Sequence, residues 1–169
     1  STAFVVPNPT SFASILKLAD HSSITLTGLV VDQANENSVD INNNVTATVE
    51  GVFGNSTPKI GNQIFSVKGN CKVVIKGTLK GAGNRADADV LVDNWSDQDY
   101  GPSSVDLTEA KHETGRKLKV VYRIGSSTVI GDCEKLYLQS IGFTAYYYLK
   151  LIVRKIMGIP QGKKGPSFL

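Results

Sequence analysis

The run Val39-Asp40-Ile41-Asn42-Asn43-Asn44-Val45-Thr46-Ala47-Thr48-Val49-Glu50-Gly51 returns 26 residues later as Phe65-Ser66-Val67-Lys68-Gly69-Asn70-Cys71-Lys72-Val73-Val74-Ile75-Lys76-Gly77. The apolar positions, the Asn before the second half and the closing Gly fall in register. Each copy alternates apolar and polar residues with a period of two, bends through a short polar corner, alternates again and stops at glycine. A third copy lies 23 residues upstream: Leu16-Lys17-Leu18, Ala19-Asp20-His21, then Ser22-Ser23-Ile24-Thr25-Leu26-Thr27-Gly28. A looser fourth begins at Thr128-Val129, passes through Gly131-Asp132-Cys133 and continues as Leu136-Tyr137-Leu138-Gln139-Ser140 with one residue inserted.

This spacing is too short for a strand, a crossover helix and a second strand. It predicts an all-β chain of stacked parallel strands, a solenoid in which inward side chains lie on those of the next turn. Asn44, Asn70 and Asp132 are expected to take the left-handed backbone angles of the corners. The runs Asp89-Val90-Leu91-Val92, Ser104-Val105-Asp106-Leu107 and Lys117-Leu118-Lys119-Val120-Val121-Tyr122 supply the intermediate strands. The alternative is an antiparallel β-sandwich or jelly roll, whose strands also recur at short intervals.

Over residues 14–142 this rhythm resembles the right-handed parallel β-helix, the fold of pectin-lyase-like enzymes and of phage and viral spikes. The resemblance implies a rigid wound core; the family's catalytic residues do not carry over. Pectin-cleaving hydrolases of this fold carry an Asn-Thr-Asp, a paired Asp, a Gly-His-Gly and an Arg-Ile-Lys. Here Asp20-His21 lacks flanking glycines, Tyr122-Arg123-Ile124 runs into Gly125, and no Asp pair exists. The chain is therefore expected to be non-enzymatic.

At 169 residues and 41% hydrophobic content the chain suits one self-contained domain. The boundaries read as an N-terminal arm or cap over 1–13, the solenoid over 14–142, an amphipathic element over 143–160 and a flexible basic tail over 161–169. The cap, with Pro7 and Pro9 ahead of Ser11-Phe12-Ala13-Ser14-Ile15, answers the need to cover open strand edges. Ser1-Thr2-Ala3 shows no leader pattern.

Cys71 and Cys133 occupy equivalent places after a corner in the repeat, and are expected in the core. With only His21 and His112 beside them, no zinc spacing arises, and neither a metal nor a cofactor is expected.

Net charge is +3 but unevenly spread. From Arg85 to Arg116 eight acids face three bases; from Lys135 onward there are six bases and no acid. Asp93-Asn94-Trp95-Ser96-Asp97-Gln98-Asp99-Tyr100 reads as a solvated acidic loop. Trp95, Asp93, Asp97, Asp99 and Tyr100 are its candidate ligand contacts, since an aromatic face beside carboxylates suits a sugar ring. A calcium loop is not matched, for the required Gly and terminal Glu are missing.

The segment 143–157 is readable either as a helix or as a final strand. On a helix Tyr146, Leu149, Ile152, Val153 and Ile156 share one face and Lys150, Arg154 and Lys155 lie on the other. Lys150, Arg154, Lys155, Lys163 and Lys164 are the candidate anchoring residues, toward an acidic layer, a membrane surface or nucleic acid. The leading expectation is a structural or adhesion component of a virus or phage particle: a spike, vertex or minor capsid protein. It would assemble as a trimer or other ring with further particle proteins, and reside in the virion after being made in the host cytoplasm, with a cytoplasmic location as the alternative. A carbohydrate-binding or carbohydrate-active protein, and a membrane-surface protein, are the alternatives.

Overall fold

The computed structural model describes residues 4–6, 16–19, 23–31, 39–55, 63–81, 88–138 and 140–168. Twelve strands are described: β1 (Phe4–Val6), β2 (Leu16–Ala19), β3 (Ser23–Val31), β4 (Val39–Asn42), β5 (Thr46–Asn55), β6 (Phe65–Lys68), β7 (Lys72–Lys80), β8 (Val90–Val92), β9 (Ser104–His112), β10 (Leu118–Tyr122), β11 (Thr128–Ile130) and β12 (Cys133–Tyr137). They form two six-stranded sheets, and the chain visits them in strict alternation. The first sheet holds β1-β3-β5-β7-β9-β11; the second holds β12-β10-β8-β6-β4-β2.

All ten pairings among the described residues are parallel. The antiparallel sandwich or jelly roll is thereby excluded. Between two neighbours in one sheet the chain passes through a strand of the other sheet, and no hairpin occurs among the described residues.

The repeat sets the register. Val39 pairs with Phe65 and Ile41 with Val67 in the second sheet; Val49 pairs with Ile75 and Gly51 with Gly77 in the first. The 23-residue copy pairs likewise, Leu16 with Val39 and Ser23 with Thr46. Parallel sheets are usually covered on both faces. Here the period-two alternation turns Val39, Ile41, Val49, Phe53, Phe65, Val67, Ile75 and Leu79 into one fully buried core, while most alternating positions, Ser66 and Val121 excepted, are partly or fully exposed. Each such side chain contributes about 1.5–3 kcal/mol on burial, so the stacked apolar rows stabilise the fold more than any single feature.

The corners behave as read at Asn44 and Asn70, with φ of 64° and 57°, joined by Asn43 at 61°. Asn70 Nδ2 donates to Asn44 Oδ1 at 2.9 Å, a side-chain rung between successive corners. Asn70 N in turn donates to Gly101 O at 3.0 Å, which carries the line of corners into the next tier.

The fourth copy is half a repeat out of phase. Thr128–Ile130 is β11 of the first sheet, paired with Ser104–Asp106, while Cys133–Tyr137 is β12 of the second, paired with Leu118–Tyr122. Gly131 rather than Asp132 holds the left-handed angle there, at φ 119°. Short alternating runs carry no mark of the sheet they join, so composition alone did not fix the phase. Cys71 and Cys133 are consequently not equivalent. Cys71 is buried, its thiol pushed up by desolvation, and Cys133 is half-buried at the edge strand.

Of the N-terminal arm, Phe4–Val6 forms the parallel edge strand β1 against Leu29–Val31. Pro7, Pro9 and residues 11–15 lie outside the described residues, as do Asp20 and His21. No helix among the described residues is long and apolar enough to cross a membrane.

Candidate functional site

Two segments that the sequence places far apart meet on one side of the sheets. The first is the loop from β8 to β9. Asp93 Oδ1 accepts from Trp95 N at 3.1 Å and starts a 3₁₀ turn, Asn94–Ser96, which runs into the one-turn helix α1 (Asp97–Tyr100) closed by Gly101. The loop is pinned to the turn after β10. Asn94 Nδ2 donates to Arg123 O at 2.6 Å, and Asp97 Oδ2 accepts from Ser126 N at 2.9 Å and Ser126 Oγ at 3.2 Å. Gly125 is required between them, because a Cβ there would run into the side chains of Asn94 and Asp97.

The second segment is α2 (Ile141–Met157), which resolves the helix-or-strand alternative in favour of the helix. Ser140 caps it by accepting from Phe143 N at 3.2 Å, and Gly158 ends it in the left-handed conformation at φ 70°.

α2 sits on the loop through aromatic and ionic contacts. Phe143 is buried against Trp95, with ring centroids 5.3 Å apart, and beneath the Arg123 guanidinium at 4.9 Å. Tyr146 stacks on Trp95 at 5.2 Å with the planes 9° apart. Gln98 Nε2 donates to Tyr147 O at 2.9 Å. Asp99 then receives two cations from the next turns of the helix: Lys150 Nζ on Oδ2 at 2.7 Å and Arg154 Nη1 on Oδ1 at 3.1 Å. Arg154 Nη2 also donates to Pro160 O at 2.8 Å and Lys163 O at 2.7 Å, folding the chain end back. Gly162 N donates to Gln98 O, and Gln161 Nε2 to Ser126 Oγ, both at 3.0 Å. The segment 161–163, expected as a flexible tail, is therefore held by four hydrogen bonds.

The sequence candidates land as follows. Asp97 is buried, Asp99 is taken by Lys150 and Arg154, and Asp93 serves Trp95 N and lies 3.5 Å from Arg123 Nη1. The loop, expected as a solvated acidic loop, has Asp97 buried and Asp99 paired and seats α2. Trp95 stays half exposed, and Tyr100 is half-buried. Trp95, Arg123, Leu138 and Phe143 wall a groove of about 400 Å³ at the start of the helix.

Among the candidate anchors, Lys150 and Arg154 are 7% and 3% exposed, and so do not face outward. Lys155, Lys163 and Lys164 do. The helix is docked by Lys150 and Arg154 together with Phe143 and Tyr146, and much of its apolar face is turned to solvent: Ile141, Leu149, Ile152 and Ile156 are 93%, 60%, 55% and 81% exposed. Sequence reading missed Arg123 and Ser126 because their partners lie 29 residues away in sequence. The one visible signal was the acid-rich block upstream of an acid-free basic end.

Burial raises the Asp97 carboxyl above its ordinary 3.8, against the lowering pull of its hydrogen bonds from Ser126 and Tyr147. The Tyr147 hydroxyl is pushed up to about 12, by burial first and by Asp97 second. A carboxyl raised in the folded state makes its stabilising contribution at low pH and loses it as pH rises through the folded value. Asp97→Asn keeps an acceptor for Ser126 and carries no charge. We expect it to melt at or above the parent near neutral pH, with an advantage that shrinks as pH falls from about 7 to about 4. Thermal unfolding across that range checks this, and an advantage that grows on acidification would refute it.

Compared with known protein families, with characterised proteins and with solved structures, the chain matches none of them.

Proposed function

We propose that this chain is a short right-handed parallel β-helix that serves as a non-enzymatic structural component of a virus or phage particle. Spike, vertex and minor capsid protein are the roles this reading covers, with the chain assembled as a trimer or another ring. The handedness follows from the general rule that parallel strands joined by crossovers wind to the right. In support of a wound body stand the in-register parallel tiers and the line of corner asparagines.

The observation that carries the structural role is α2 itself. A helix held to the body by a buried ion cluster, with its apolar side outward, is a part made to be covered. Isolated apolar residues on a surface are ordinary; a contiguous stripe marks an interaction site. In this reading α2 attaches the rigid body to the layer beneath it.

Density-gradient fractionation of particles from the natural source tests the role. The full chain is expected to band with the particles, and a chain lacking residues 141–169 to remain at the top of the gradient. Complete particles free of the chain would overturn the proposal.

One observation favours a second reading, a glycan-binding protein. Half-exposed Trp95 and Arg123 share the groove beside α2. Glycan-array binding abolished by Trp95→Ala would establish it.

A further inference from the structure

We propose that the outward side of α2 lies on the surface of an anionic lipid bilayer, with the body standing above it. The inference rests on the reading of α2 as the attachment surface and names what it attaches to.

Successive residues of a helix point about 100° apart. On that wheel the body-facing residues Phe143, Lys150 and Arg154 fall within about 40° of one another. Ile141, Ala145, Tyr148, Leu149, Ile152 and Ile156, all exposed, fill an arc of about 100° centred nearly opposite. An arc that wide, running from the first residue of the helix to its last turn, is the geometry of a helix lying in the plane of a membrane interface. No polar residue interrupts it, and Lys155 stands at its rim.

Charge selects the occupant. Residues 135–169 contain no acid, and the exposed charges along and after the helix are Lys155, Lys163 and Lys164. Lys150 and Arg154, the two other bases of α2, are buried and share the single carboxylate of Asp99, so they are turned away from the outward side. What the helix shows the outside is thus apolar and positive. A bilayer with anionic headgroups complements both properties at once. A second copy would complement only the first, because in a parallel pairing Lys155 meets Lys155. In a ring built through the body surfaces every α2 points the same way, which multiplies a modest single-helix affinity.

Each base near an anionic surface is worth about a fivefold change in binding. Two isoleucines replaced by carboxylates should remove far more, roughly a hundredfold.

The experiment is co-sedimentation of the full chain with vesicles of phosphatidylcholine alone and of phosphatidylcholine with phosphatidylglycerol. Binding is expected to the anionic vesicles, to be about tenfold or more weaker on the neutral ones, and to weaken as salt is raised. Ile152→Glu with Ile156→Glu should abolish it while leaving the melting temperature unchanged, since both side chains are exposed. Lys155→Glu should weaken binding to the anionic vesicles and leave the neutral ones unaffected.

Vesicle binding that survives Ile152→Glu with Ile156→Glu would overturn the proposal. So would absence of binding by the parent. If the parent instead self-associates in sedimentation velocity, and this variant is monomeric, the face is a contact between copies. Should the chain still need α2 to band with particles yet ignore vesicles, attachment stands and the lipid falls.

Discussion

Asp99→Ala is expected to release α2 from the body, at a cost of about 3–5 kcal/mol in the free energy of docking. Among the described residues Asp99 is the one carboxylate paired with Lys150 and Arg154, whose side chains are 8% and 3% exposed. Removing it leaves two cations largely out of water without their paired carboxylate. Breaking one side of a buried ion cluster is far more harmful than never having built it. The two sheets do not depend on this cluster, so the loss should be local. Hydrogen exchange over residues 141–157 should accelerate while the amides of β5 and β7 keep their protection. Trypsin should cut at Lys150, Arg154 and Lys155, and Trp95 fluorescence should change as Phe143 and Tyr146 leave the indole.

A compensated variant separates charge from shape. Adding Lys150→Met and Arg154→Met to Asp99→Ala removes the stranded cations and is expected to restore most of the docking. It should not restore the last turn, because the carbonyls of Pro160 and Lys163 lose their Arg154 donor. Protection returning to α2 but not to residues 160–164 is the expected pattern. If Asp99→Ala alone leaves exchange over α2 unchanged, the cluster does not hold the helix.

The architecture was legible where the sequence repeats and obscure where it does not. The offset between Val49 and Ile75 is visible in the residues themselves, since stacked tiers demand the same apolar and polar alternation at the same distance from a corner. The half-repeat error at Thr128 has the opposite origin. β11 and β12 are short and joined through Gly131-Asp132, so neither length nor corner marks their sheets. On α2 the wheel separates a basic from an apolar side, but which side turns inward depends on what waits there. A helix ordinarily buries its apolar side. Here the seat offers Asp99, 51 and 55 residues away from its two partners, and ionic contact, with Phe143 and Tyr146 against Trp95, overrides the rule. The acidic block and the basic end, each striking only as composition, are the two halves of one contact.

Gly77→Ala is expected to destabilise the whole stack by roughly 2–5 kcal/mol, about 10 °C in melting temperature for a chain this size. Gly77 closes the second half of the repeat and lies directly beside Gly51 in the neighbouring strand. A Cβ built on it would fall onto the carbonyl oxygen of Gly51, and its φ of 151° disfavours any side chain. That oxygen belongs to the ladder between β5 and β7, so it cannot yield without pulling the tiers apart. Gly115 gives the cost of a left-handed backbone with no neighbour in the way. It also has positive φ, at 77°, yet nothing lies within 4 Å of where its Cβ would be. Gly115→Ala should therefore cost only about 1 kcal/mol. The difference between the two melting temperatures reports the steric cost of stacking at 26-residue spacing together with the greater backbone strain at φ 151°. Were the two variants equally stable, Gly51 and Gly77 would not be in contact, and the register that organises both sheets would be wrong.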